Sequence, residues 1–177
     1  MVHTNENVKR WGPLGQFFRV VYNLVLRPGT FYEQLPSESR YLSAMAFVLT
    51  CSVLSSVLGI FSLGEKRAVL AFIYFLNAFF MPFFTALLLY VVTLLLCKSV
   101  FSYQRLFAIT AYANVTLLIA WIPGLSWITG IWKFYLIGLG MVKIGPIKGS
   151  KAFIVLVATA GILVLLIQLL LYIFKQG

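Results

Sequence analysis

Five apolar stretches, residues 41–63, 68–96, 106–122, 125–142 and 152–174, fill most of the chain after its first 40 residues. A hydrocarbon core about 30 Å thick takes about 20 helical residues at about 1.5 Å rise each. Three of the runs meet that length outright. The third and fourth are shorter and share the corner Trp121, Ile122, Pro123 and Gly124. Backbone groups in lipid must be paired within the protein, which leaves helices or a closed barrel. Continuous apolar runs, rather than strict alternation, select helices. Composition points the same way: 62% of the chain is hydrophobic and 10% is charged, against about 45–50% and about 25% in soluble domains. The expected fold is all-α: a polytopic membrane protein with five transmembrane helices over residues 41–174. Residues 1–40 are expected to form a cytoplasmic N-terminal segment. They carry no apolar core with a small-residue cleavage site, so the first span is expected to serve as the insertion signal.

Basic residues sort by side. Lys9, Arg10, Arg19, Arg27 and Arg40 precede the first span, Lys98 and Arg105 follow the second, and Lys143, Lys148 and Lys151 follow the fourth. The opposite side has Lys66, Arg67 and Lys175. Positive residues concentrate on the cytoplasmic side of membrane proteins, which predicts a cytoplasmic N-terminus and an external C-terminus. Trp121 and Trp127 flank the Pro123-Gly124 break, where amphipathic rings would anchor an outer hairpin.

Within the first segment, Leu14, Phe17, Phe18, Val21, Leu24 and Val25 recur at helical spacing, with Gln16, Arg19, Asn23 and Arg27 on much of the other face. At about 14 residues this helix is too short to span. It reads either as an amphipathic interfacial helix, with Trp11, Arg19 and Arg27 at headgroup level, or as a helix packed across the bundle's cytoplasmic ends. Thr30 and Glu33 have the spacing of a capping box, and Ser37 is placed to cap the first span.

Catalytic side chains are scarce. The chain has no Asp, its four Glu are Glu6, Glu33, Glu38 and Glu65, and its one His is His3. Metal sites take clustered ligands, and covalent catalysis needs a nucleophile with its base. The expectation is a non-enzymatic protein without metal or cofactor. Cys51 and Cys97 read as packing residues. Small residues at Ser52, Ser55, Ser56 and Gly59, and at Gly138 and Gly140, would allow close helix crossings within a subunit or in a homo-oligomer. Asn77, Tyr112 and Asn114 are polar at membrane depth. Pro82, at the centre of the longest run, is the expected kink. Lys133 is the one basic residue within a span. A charged Lys at a helix centre costs about 2.5–3.5 kcal/mol, so it is expected to be paired, snorkelling or functional. Glu65 is the acid predicted on its side of the membrane.

The stretch from Phe101 through Tyr103-Gln104-Arg105-Leu106-Phe107-Ala108-Ile109-Thr110-Ala111-Tyr112-Ala113-Asn114 to Pro123 resembles the Yip domain family, named for Ypt/Rab-interacting proteins. Gly130-Ile131-Trp132-Lys133-Phe134-Tyr135 downstream, Lys151-Ala152, and Pro28-Gly29-Thr30-Phe31 belong to the same likeness. The resemblance implies a five-span membrane domain with a cytoplasmic N-terminus. Eukaryotic members act in vesicle trafficking and bind small GTPases. Their longer N-terminal region and its Asp-Leu-Tyr-Gly-Pro motif are absent here, which argues against carrying GTPase binding over. The compact form is similar to bacterial and archaeal members, and that likeness implies a prokaryotic cytoplasmic (inner) membrane as its expected location.

The leading expectation is a non-enzymatic integral membrane protein that organises lipids, anionic ones among them, or partner proteins, as a homo-oligomer or alone, with no nucleic acid. The rival is a small channel or transporter with a polar pathway near Pro82 and Lys133.

Overall fold

The computed structural model describes residues 13–35, 41–60, 67–97, 101–120, 122, 124–145 and 147–176. Within them the chain is all-helical. Helix α1 is Pro13–Leu26, α2 Pro28–Glu33, α3 Tyr41–Ile60 and α4 Arg67–Cys97; α5, Tyr103–Ala113, continues through a 3-10 turn at Asn114–Thr116 into α6, Leu117–Ala120. Helices α7, Ser126–Ile144, and α8, Gly149–Gln176, complete the chain. Four of these helices, α3, α4, α7 and α8, are long and apolar enough to cross a membrane. The third apolar run is not one long helix: the 3-10 turn divides it.

That divided segment nevertheless runs the length of α4 in antiparallel register. Tyr103 meets Tyr90 with ring centroids 6.3 Å apart and Phe107 meets Phe83 at 4.6 Å. Further along, the Thr110 hydroxyl approaches the Pro82 carbonyl at 3.3 Å and the Asn114 amide approaches that of Ala78, also at 3.3 Å. Helices α3 and α4 pack with α5 into the centre of the bundle, and α7 and α8 close one side.

Outward faces are apolar. Phe72, Phe84, Leu95, Ile131 and Phe153 are each more than half exposed. In water such a surface would drive association; in lipid it is the solvated face. Lipid tails are as apolar as leucine, so the helices are held by close packing and hydrogen bonds rather than by hydrophobic burial. Helix α8 shows the division along one element. Ala152, Val155, Leu156 and Thr159 are buried, whereas Leu165, Leu169, Leu171 and Ile173 are exposed.

Helix α1 begins at Pro13, where the missing N–H costs nothing in a first turn. Phe17 and Leu24, two turns apart, are buried, and the Phe17 ring lies 5.3 Å from Phe47 of α3. Phe18, Tyr22 and Leu26 on another face are exposed. The capping box does not form, because Pro28 starts α2 earlier and Arg27 takes the cap position. Thr30 instead donates its hydroxyl to the Arg27 carbonyl at 2.9 Å, and Glu33 pairs with Lys143 of α7 at 2.6 Å. Ser37 lies outside the described residues.

The end of the bundle carrying α1 and α2 is densely packed. Tyr32 of α2 is buried against α5, with its hydroxyl 3.4 Å from the Ile109 carbonyl. Burial pushes its phenol above the ordinary range, and Tyr112 adds to the effect. Gly140 permits this approach: a Cβ there would stand 2.8 Å from Ile109 Cγ2 and 3.1 Å from Tyr32 Cε1. At Gly138 a Cβ would meet Leu156 Cδ1 at 2.9 Å, so α8 closes on α7 there.

Candidate functional site

The other end of the bundle is hollow. A cavity of about 380 Å³ opens between α3, α4, the α5–α6 segment and α7. Its polar wall is Ser55, Tyr74, Asn77, Asn114 and Lys133, and among the described residues no carboxylate lines it. All five sit in the half of their helices away from α1 and α2.

Pro82 explains the cavity's central hydrogen bonds. Helix α4 runs through it without interruption. Proline has no N–H, so the carbonyl four residues earlier, that of Ala78, loses its helical donor. Asn114 Nδ2 donates to that carbonyl at 3.3 Å. The other end of the same amide, Oδ1, accepts from Lys133 Nζ at 2.7 Å. An ammonium can only donate, so this contact also fixes which way the Asn114 amide faces. One fully buried asparagine thus serves a proline-freed carbonyl on one side and a cation on the other. The Thr110 hydroxyl also comes near Pro82 O, but its single proton is better placed for Phe107 O at 2.9 Å.

Lys133 therefore turns into the bundle toward Asn114. Two of its three N–H donors are not used by Asn114. Among the described residues the Asn77 amide and the Tyr74 hydroxyl have no hydrogen-bond partner, and both residues are exposed at the cavity. Glu65, the acid that sequence offers as a partner for Lys133, lies outside the described residues.

Of the residues singled out in the sequence, Lys133, Asn114 and Asn77 come together in this cavity. Tyr112 does not. It lies two residues before Asn114, on a different face of the segment, and its ring packs 5.1 Å from Phe31 and 5.2 Å from Phe47. Pro82 is buried beside the cavity and acts through the Ala78 carbonyl rather than as a wall residue. Arg19 and Arg27 are exposed at the α1–α2 end, and Trp127 is exposed at the start of α7. Trp11 and Trp121 lie outside the described residues.

Sequence reasoning assigned Ser55 and Gly59 to helix crossings rather than to a cavity wall, and it missed Tyr74 and Met81. The signal was present, because Tyr74, Asn77, Ala78 and Met81 fall on one face of α4, and Ser55 and Gly59 are one turn apart on α3. Gly59 was expected at a helix crossing, yet a Cβ there would meet nothing within 4 Å. It faces the hollow.

Comparison with known families settles the affiliation. The Yip1 domain model matches residues 22–172. The chain belongs to the Yip1 domain family. The match runs from α1 nearly to the end of α8, and with its apolar helices it makes this a multi-pass integral membrane protein. No curated protein and no solved structure matches the chain.

Proposed function

We propose that this Yip1 domain protein is a non-enzymatic membrane organiser that works by engaging lipids, with its N-terminus cytoplasmic and its C-terminus outside a prokaryotic cytoplasmic membrane. Five crossings are part of the proposal. The 103–120 segment is 18 residues, about 27 Å at helical rise, and its antiparallel register along α4 supports a full traverse. An odd number of crossings agrees with the sorting of basic residues.

The observation that carries the proposal is the two-sided mounting of α1. Phe17 and Leu24 fasten it to the bundle, while Phe18, Tyr22 and Leu26 stay exposed beside Arg19 and Arg27. A helix so mounted, in the headgroup layer, inserts one apolar face and presents cations to anionic lipid. The two roles the sequence left open for this helix, packing and interfacial insertion, are then served by different faces.

The cavity is what favours the rival reading of a transporter. Against it stands the opposite half of the bundle, where Leu106, Phe107, Ile109, Leu136 and Met141 are fully buried. That packing supports a blind pocket rather than a conduit. The test is reconstitution of the full chain into phosphatidylglycerol-containing liposomes. The proposal expects altered lipid order or vesicle shape, lost on replacing Phe18, Tyr22 and Leu26 together by alanine, and no ion flux. Sustained flux, with lipids unaffected, would overturn it.

A further inference from the structure

We infer that the cavity at Lys133 is a binding site for a phosphate anion, supplied by a phospholipid headgroup. This deepens the lipid-engaging reading and rests on it for the source of the ligand, though the site is distinct from α1.

The argument starts from the donors. Lys133 Nζ gives one N–H to the neutral Asn114 Oδ1 at 2.7 Å. That contact orients the ammonium without neutralising it. Among the described residues the cavity wall adds the Asn77 amide and the Tyr74 hydroxyl, both without a partner, and no carboxylate. A cation in a low-dielectric setting, with further donors around it and no acid among the described residues, is arranged to take an anion with several acceptor oxygens.

Asn114 is the positioning residue. It is fully buried and held by the Ala78 carbonyl, so Lys133 is presented on a rigid support rather than on a free side chain. Size selects further. A cavity of about 380 Å³ falls within the usual range for small-molecule pockets, about 300–1,000 Å³. It has room for more than a bare phosphate, and the open space beside Gly59 leaves its wall unfilled. The apolar part of the lining, Ala78, Met81, Leu117 and Ala120, suits the glycerol and first methylenes of a lipid.

The experiment is thermal unfolding of the full chain in a neutral detergent, with dioctanoyl phosphatidylglycerol, dioctanoyl phosphatidylcholine or inorganic phosphate added in turn. Phosphatidylglycerol should raise the midpoint in a saturable way and phosphatidylcholine should do so much less. Protection by phosphatidylglycerol alone identifies the headgroup as ligand. Equal protection by inorganic phosphate keeps the anion site but overturns the lipid as its source. Lys133→Met should weaken phosphatidylglycerol binding at least about tenfold, the loss expected for one charge-assisted hydrogen bond. Asn77→Leu, at an exposed position, should weaken it several-fold and decides the matter if the Lys133 variant does not fold. The α1 triple-alanine variant, which lacks that helix's own lipid contacts, should keep a saturable protection by phosphatidylglycerol that Lys133→Met then removes. Loss of protection in that variant, with Lys133→Met and Asn77→Leu unaffected, would assign the lipid to α1 and overturn the cavity site. Absence of protection by any anion would overturn it as well.

Discussion

The two ends of this bundle solve different problems with the same helices. Around α2, the side chains of Tyr32, Ile109, Leu136 and Met141 are buried to within about 2% of full burial, and Gly140 lets three elements meet. Toward the start of α7, the same helices separate around a hollow whose polar groups centre on Asn114 and Lys133. Helix α8 follows the division, packed at its start and exposed along its later turns. What this teaches is that apolar content alone does not distinguish packing from wall. Both halves are apolar, and the difference lies in where glycine, proline and asparagine fall.

The sharpest way to break the comparison is to place equivalent insults in the two halves. Gly140→Leu should destabilise the protein by about 3 kcal/mol, since overpacking a tight site displaces its neighbours, and detergent-solubilised protein should unfold at a markedly lower temperature. Gly59→Ala, facing open space, should stay within about 0.5 kcal/mol of wild type. Similar losses at both positions would mean that the hollow is filled.

Next in size is the bond that links the proline to the cavity. Asn114→Leu strands the Ala78 carbonyl and the Lys133 ammonium, and should cost about 1–3 kcal/mol. In a Pro82→Ala background the helix regains the N–H that Ala78 lacks, so the same replacement should cost less by about 1 kcal/mol. Unfolding measurements on the four proteins of this cycle give the coupling directly. Strict additivity would remove the explanation offered for Asn114.

The smallest effect is expected at the packed end's surface. Lys143 and Glu33 pair at 2.6 Å, but their side chains are 38% and 51% exposed. Glu33→Gln should therefore shift stability by less than about 1 kcal/mol, and less still in high salt. A larger loss would show that α2 depends on this ion pair rather than on Tyr32.

Much of this was legible in the sequence. Run lengths and polarity gave the helices, because period and continuity are local properties. Lys133, Asn77 and Asn114 stood out as polar groups at membrane depth, and they do share a site. The third run reads differently in three dimensions because a 3-10 turn interrupts it at Asn114–Thr116, which hydropathy does not register. Tyr112 lies apart from that cavity because two positions along a helix reverse its face, and only tertiary contacts reveal which face meets the cavity. The pairing of Asn114 with a carbonyl 36 residues earlier depends on the register between α4 and α5, which no local pattern specifies. Thr30 and Glu33 had the right spacing for a capping box, but Pro28 started the helix first.

A hollow lined in part by Asn77, Asn114 and Lys133 should open at one face of the membrane and be sealed from the other by the packed half. This arrangement is tested most directly by thiol accessibility in a background free of Cys51 and Cys97. Asn77→Cys should react with an impermeant reagent applied from the side that labels Ser126→Cys, at the start of α7. It should resist the same reagent applied from the side that labels Ser150→Cys. Labelling of Asn77→Cys from both sides would reveal a continuous aqueous path through the packed half and contradict the account.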